Sequence, residues 1–290
     1  MLPKASAFLW RRPYLTTAAE LSLPAIWFIV FYLAALVLLF VSAFWSVDSM
    51  TGEIQHSWTL DNFRQLITEP TYRHVAFRTI FMAAAVTLTD AVLAWPFALY
   101  IVRYASPRIK TALMAAVMVP LWCSYLARVY AWRLILSHDG ALNWALHLLH
   151  LPDQNIAYSN WAIWLVFSYL WLPFMILPVA AALERIPVSL IEASADLGAG
   201  AFTTLRRVLL PMALPGLVAG SIFTFSLTLG DFITPMLVGG AGSDFIGNVV
   251  YASVGVANNV PFAAAFSTLP LLVMAAYLLI VRRMGAFEAL

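Results

Sequence analysis

Six apolar stretches, each about as long as a bilayer is thick, decide what this chain can fold into. A helix needs about 20 predominantly apolar residues to cross the hydrocarbon core. Leu23–Trp45, Thr79–Ile101, Thr111–Trp132, Trp161–Leu183, Leu214–Val238 and Phe262–Val281 all meet that length. In lipid each spanning segment must satisfy its own backbone polar groups, so each stretch reads as a helix. Charged residues make up 10% of the chain, against about 25% in a soluble domain, and so few charges cannot cover a water-facing surface. The expected fold is an all-α membrane protein with six transmembrane helices. The first stretch is longer than the ~7–15-residue core of a signal peptide and reads as a retained anchor. Cys123 stands alone, so no intrachain disulfide is expected.

The positive charges orient the spans. Lys and Arg collect on the cytoplasmic side of short loops. Lys4, Arg11 and Arg12 precede span one, and Arg103, Arg108 and Lys110 separate spans two and three. Arg185, Arg206 and Arg207 separate spans four and five, and Arg282 and Arg283 follow span six. The loops 134–160 and 239–261 hold neither Lys nor Arg. Both termini are therefore expected in the cytoplasm. Residues 1–22 read as a cytoplasmic or interfacial segment, on the basic and aromatic Trp10, Arg11, Arg12 and Tyr14. Residues 23–283 form the membrane domain, and 284–290 a cytoplasmic tail. In the long external stretch Ser46–Arg78, Leu60–Ile67 suits a short amphipathic helix.

One inner loop, 184–213, is too long for a bare connector. Pro187 ends the preceding helix, and Ser189 with Glu192 matches the S-x-x-E capping box that starts a new one. Leu190–Leu197 gives about two helical turns, and Gly198 and Gly200 supply the permissive backbone that ends them. A second short helix is expected from Thr203 to Leu209, interrupted at Pro211. The product is a helix–Gly–helix hairpin whose Ala193, Ala195, Ala199 and Ala201 let another protein approach closely.

This stretch resembles a known family. Glu192-Ala193-Ser194, three residues, Gly198, nine residues, then Val208-x-Leu210-Pro211 follows the EAA pattern of permease subunits of bacterial ABC importers, with Ser194 for the second Ala and Val208 for Ile. Pro120–Trp132 with Gly140–Asn143, Leu172–Pro178 and Leu229–Pro235 are similar to segments of the spermidine/putrescine branch. The resemblance implies the type I ABC importer permease fold. It implies a coupling helix carrying Ser189, Glu192, Ala193, Ser194, Asp196, Leu197, Gly198, Val208 and Pro211, which seats in a cleft of a separate ATPase. It further implies a second related permease in a heterodimer, two cytoplasmic ATPases that hold ATP and Mg, and an external solute-binding protein. No cofactor or metal is expected on this chain itself, and no nucleic-acid partner.

A charge in mid-span costs about 2.5–3.5 kcal/mol on insertion scales, so Asp90, Asp231 and Arg128 need a reason. Two carboxylates on a translocation path would suit a cationic solute, with Trp95, Tyr130 and Trp132 adding cation–π attraction. Against this, Asp90 also reads as a hydrogen bonder between packed helices, and Asp231 as the ion-pair partner of Arg128. If Asp231 and Arg128 both face the path, an anionic or zwitterionic solute fits as well. Span five is expected to break before Pro235.

ATP hydrolysis by a phosphate-cradling G-x-x-x-x-G-K-[ST] loop is excluded, since neither Lys4 nor Lys110 follows a glycine. The chain reads as a non-catalytic subunit. An ion-coupled secondary transporter would leave the inner hairpin without a purpose. An intramembrane protease would need G-x-S-G, or Tyr-Asp with Gly-x-Gly-Asp, and the chain has neither.

Overall fold

A computed structural model describes Thr17 and residues 21–22, 24–48 and 51–283. The N-terminal segment with Trp10, Arg11, Arg12 and Tyr14, and the tail 284–290, lie outside the described residues. In chain order come α1 (Pro24–Ser42), a two-stranded hairpin of β1 (Ser46–Val47) and β2 (Ile54–Gln55), and α2 (Asp61–Thr68). Next are α3 (Pro70–Tyr104), α4 (Pro107–Trp122), α5 (Tyr125–Leu136), α6 (Ala141–Leu148), α7 (Asn160–Glu184) and α8 (Val188–Asp196). The chain ends in α9 (Ala201–Gly230), α10 (Ile233–Val238), α11 (Ile246–Gly255) and α12 (Val260–Arg283).

Five of these helices are long and apolar enough to cross a membrane, and a sixth span results if the bent pair α4 and α5–α6 counts as one. The expected six spans thus hold, with one correction. Span three is not straight: it bends by 98° between Trp122 and Tyr125. Cys123 and Ser124 are both extended. Pro120 brings no N–H to the last turn of α4, which closes instead on a tighter bond from Cys123 N–H to the Pro120 carbonyl.

Span five breaks as expected before Pro235, at Asp231–Phe232. Pro235 is the third residue of α10, where its missing N–H costs nothing. Gly230 weakens the helix, and the Asp231 carboxylate takes the N–H groups of Ile233 and Thr234. Loop 239–261 holds a helix, α11, that reads as plain loop in the sequence. The helix expected at Leu60–Ile67 is present as α2.

Three helices form the core. α3, α7 and α9 pack on one another, and most of the middle of α7 is buried. α7 and α9 run antiparallel on small residues. A Cβ at Gly216 would meet the Pro178 carbonyl and the Ala182 Cβ, each at 2.5 Å, and one at Gly220 would meet the Met175 sulfur at 2.6 Å. Such close backbone approach is how helices associate where no hydrophobic drive separates them from lipid. One buried cluster gathers Phe167, Leu170, Trp171 and Phe245, and a second Met175, Ile176, Val179 and Leu183. α1 stands apart. Trp27, Phe31, Leu38 and their neighbours are exposed, and only its C-terminal end reaches Ala264 and Ala265 of α12, through Ala43.

At the end of the bundle that carries the basic loops, Arg103 of α3 donates to the carbonyls of Leu183 (2.7 Å) and Ile186 (2.8 Å). Lys110 pairs with Glu184 at 2.7 Å. These contacts hold the exit of α7, and so set where the hairpin after it begins.

Candidate functional site: a coupling hairpin and two broken spans

The hairpin at the basic end is built by local rules, although not all of the expected ones. α8 starts at Val188 with Pro187 in the N-cap place, and no side chain caps it. The capping box read from Ser189 and Glu192 therefore does not form: Ser189 lies inside the first turn, exposed. The fixed φ of Pro187 presets the turn instead. The far end of α8 follows the expectation closely. Gly198 has φ +75°, the left-handed region that glycine enters without strain. Its N–H bonds the Ala195 carbonyl at 2.8 Å, and the Ala199 N–H bonds the Ser194 carbonyl at 3.0 Å. This pair of bonds is a Schellman turn. No atom lies within 4 Å of a Cβ placed on Gly198, so conformation and not space demands glycine there.

The second arm is not a separate short helix. From Ala201 the chain runs on as α9 to Gly230, and Pro211 does not interrupt it. Leu205–Leu209 widens into a π turn, closed by the Leu210 N–H on the Leu205 carbonyl. A widened turn leaves room for a proline ring one turn later. The hairpin thus feeds directly into a core helix. Ser194 Oγ and Thr204 Oγ1 lie 2.9 Å apart and tie the two arms, a contact that gives the Ser in place of Ala a structural use. Glu192, Ala193, Asp196 and Leu197 are exposed. Leu197 is 88% and Phe202 72% exposed, a high fraction for apolar side chains on a polar loop. Val208 is half-buried, and Pro211 is exposed on the flank of α9.

The candidate path residues separate into two places. Asp231, Arg128 and their neighbours gather where spans three and five break. Asp231 Oδ1 accepts from the N–H groups of Ile233 (2.7 Å) and Thr234 (3.1 Å), capping α10. Its Oδ2 accepts from the Thr234 hydroxyl at 3.2 Å and from the Tyr125 hydroxyl. The ion pair expected between Asp231 and Arg128 does not form. Arg128 instead lies over the Tyr125 ring, 5.9 Å from its centre, and its Nε and Nη1 are buried without a partner among the described residues. Trp171 stacks on Tyr125 at 5.9 Å and 12°. α11 stitches the break: Asn248 donates to the Phe232 carbonyl at 2.8 Å, and Gly247 packs on the Asp231 carbonyl.

Asp90 is elsewhere. It is fully buried on the core face of α3, and neither carboxylate oxygen has a partner among the described residues. Trp95, five residues on, packs half-buried in the second core cluster. Trp132 packs against Tyr169 at 5.2 Å, and Tyr130 is exposed. Sequence reasoning missed Tyr125, Thr234, Thr204 and Arg103. Tyr125 and Thr234 sit inside the motifs of spans three and five, but nothing in either motif points at the other across 109 positions of chain.

Residues 17–286 match the family model described as the binding-protein-dependent transport system inner membrane component. The chain belongs to this family. Members are membrane subunits of ABC importers, so this one is a non-catalytic, multi-pass permease of the inner membrane, and ATP is hydrolysed by a separate subunit. The chain is 47% identical over 302 residues, covering 100% of it and 96% of the relative, to the "Inner membrane ABC transporter permease protein YdcU" of Escherichia coli (strain K12). It is 32% identical over 256 residues, 88% of each, to the "Spermidine/putrescine transport system permease protein PotB" of Salmonella typhimurium (strain SL1344). Among solved structures, a bacterial ABC transporter involved in the import of the acidic polysaccharide alginate has a chain that superposes with TM-score 0.77 at 19% identity, over 97% of this chain and 98% of that one. That likeness shows the permease fold.

Proposed function

We propose that this permease forms half of the translocation path of a polyamine importer, and that the hairpin 184–213 is its grip on the ATPase. The solute class rests on the relatedness to PotB. The coupling role rests on one observation above all: the turn at Gly198 is locked by two backbone bonds, and its second arm continues without a break into core helix α9. A push on the exposed Leu197–Phe202 tip is carried along a rigid rod into the middle of the bundle. Glu192, Ala193, Ser194 and Asp196 supply the contact face, and Ser189, Val208 and Pro211 its base.

In this reading the basic end is cytoplasmic, as its Arg and Lys residues favour. The partners are a second permease, related but not identical, two ATPases that carry ATP and Mg, and a solute-binding protein on the opposite side. Closure of the ATPase dimer drives two such hairpins together and opens the path away from the cytoplasm. Asp231, at the junction of two broken spans, supplies the carboxylate that favours a cation. Half-helices meeting in mid-bundle are where transporters commonly place solute sites. Asp90, Trp95, Arg128, Tyr130 and Trp132 shape the surroundings.

Spermidine uptake into vesicles containing the whole assembly tests both halves. Gly198→Pro cannot adopt a positive φ and is expected to abolish uptake while the chain still inserts; Glu192→Lys is expected to do the same. Full uptake in both variants refutes the coupling role. Uptake by this chain without an ATPase refutes the importer reading altogether.

A further inference from the structure

The motifs of spans three and five converge on one carboxylate whose acceptor sites are all taken. A carboxylate offers about four of them. Asp231 fills its own with the Ile233 and Thr234 N–H groups, the Thr234 hydroxyl and the Tyr125 hydroxyl. The first three belong to α10, the helix that Asp231 itself caps. The fourth comes from another span, just past the break at Cys123–Ser124. Tyr125 is thus the donor from outside α10, able to leave while the Ile233 and Thr234 N–H bonds keep that helix capped, and its hydroxyl has a second resting place in Thr234 Oγ1, 2.7 Å away.

We propose that Tyr125 is a specificity-determining residue: its hydroxyl holds the place on Asp231 that an ammonium group of the solute takes in passing. This rests on the cationic-solute reading above. An ammonium brings a full positive charge to the carboxylate, which a neutral hydroxyl does not, so the exchange favours a cation over water or a neutral solute. Arg128, held over Tyr125 with its Nε and Nη1 unpartnered, raises the local positive potential and shortens the cation's stay. A transport site needs that balance between entry and release.

Binding to the permease itself, not to its receptor, is the measurement that separates the outcomes. The purified transporter, this chain with its partner permease and ATPases but without the binding protein, is dialysed against radiolabelled spermidine. Tyr125→Phe keeps the ring and removes the competitor, so it is expected to bind about threefold to tenfold tighter. Asp231→Asn added to Tyr125→Phe is expected to erase that gain. Equal or weaker binding by an intact Tyr125→Phe complex overturns the placeholder role while leaving the solute class standing. Failure of Tyr125→Phe to assemble overturns it too, since the hydroxyl is then a strut. No spermidine binding by the wild-type complex overturns the cation reading and this inference with it.

Discussion

Gly198 illustrates how a single backbone angle can carry a functional element. At φ +75° any residue with a Cβ is strained by about 1 kcal/mol or more, and here that strain falls on the turn between the arms of the hairpin. Gly198→Ala is expected to keep the bundle intact while loosening 194–204. Hydrogen exchange of those amides should speed up about fivefold, with the core helices unchanged; unchanged exchange in the turn would mean that the two Schellman bonds do not hold it. Asp90 poses the opposite problem, a buried carboxyl with no partner among the described residues. On insertion scales, replacing a central Asp by Leu gains about 3 kcal/mol. Asp90→Leu is therefore expected to raise the membrane-inserted fraction of an isolated span two in a glycosylation-mapping assay. No gain would show that water or a neighbour already compensates the carboxyl during insertion.

At the scale of elements, α7 and α9 share the tightest contact in the bundle. A Cβ on Gly216 would sit 2.5 Å from the Pro178 carbonyl, which is backbone and cannot swing aside. Gly216→Val is expected to prise the pair apart and cost about 3 kcal/mol or more, seen as a drop of several degrees in the unfolding temperature of the detergent-solubilised complex. The equivalent change at Gly230, where a Cβ meets nothing within 4 Å, should leave that temperature nearly unchanged. Arg103 acts between elements in another way, joining α3 to the last carbonyls of α7. Arg103→Ala removes two charge-assisted bonds and is expected to cost about 2 kcal/mol, with exchange rising first at 183–188. Both contacts place the hairpin, which has few buried neighbours of its own.

At the scale of the whole molecule, charge is segregated to one end and apolar surface is left over along the sides. α1 exposes nearly its entire apolar length, as a helix facing lipid or another permease does. The basic end should face the cytoplasm. With Cys123→Ser as background, Thr51→Cys is expected to react with an impermeant maleimide added to intact spheroplasts, and Gly200→Cys only after lysis. The reverse pattern would invert the molecule and place the hairpin out of reach of any ATPase.

Much of this was legible in the sequence for one reason. A bilayer imposes length, apolarity and charge bias on each span separately, so six spans and the basic end could be read one segment at a time, although two helices begin well before their apolar stretches, α3 at Pro70 and α9 at Ala201. Gly198 was legible because a positive φ is a property of one residue and its immediate neighbours. What the sequence could not give were events decided by a distant partner. The bend at Cys123–Ser124 and the break at Asp231 are each weak local signals, and they become a site only because Tyr125 reaches Asp231 across 106 positions. The Ser189 capping box is a correct local pattern that did not form, because Pro187 set the helix start first. Pro211 looked like a stop, but the π turn before it let α9 run through. Local chemistry proposed the elements; long-range packing decided which of its offers were taken, since a buried polar group is held by whichever donor the fold delivers to it.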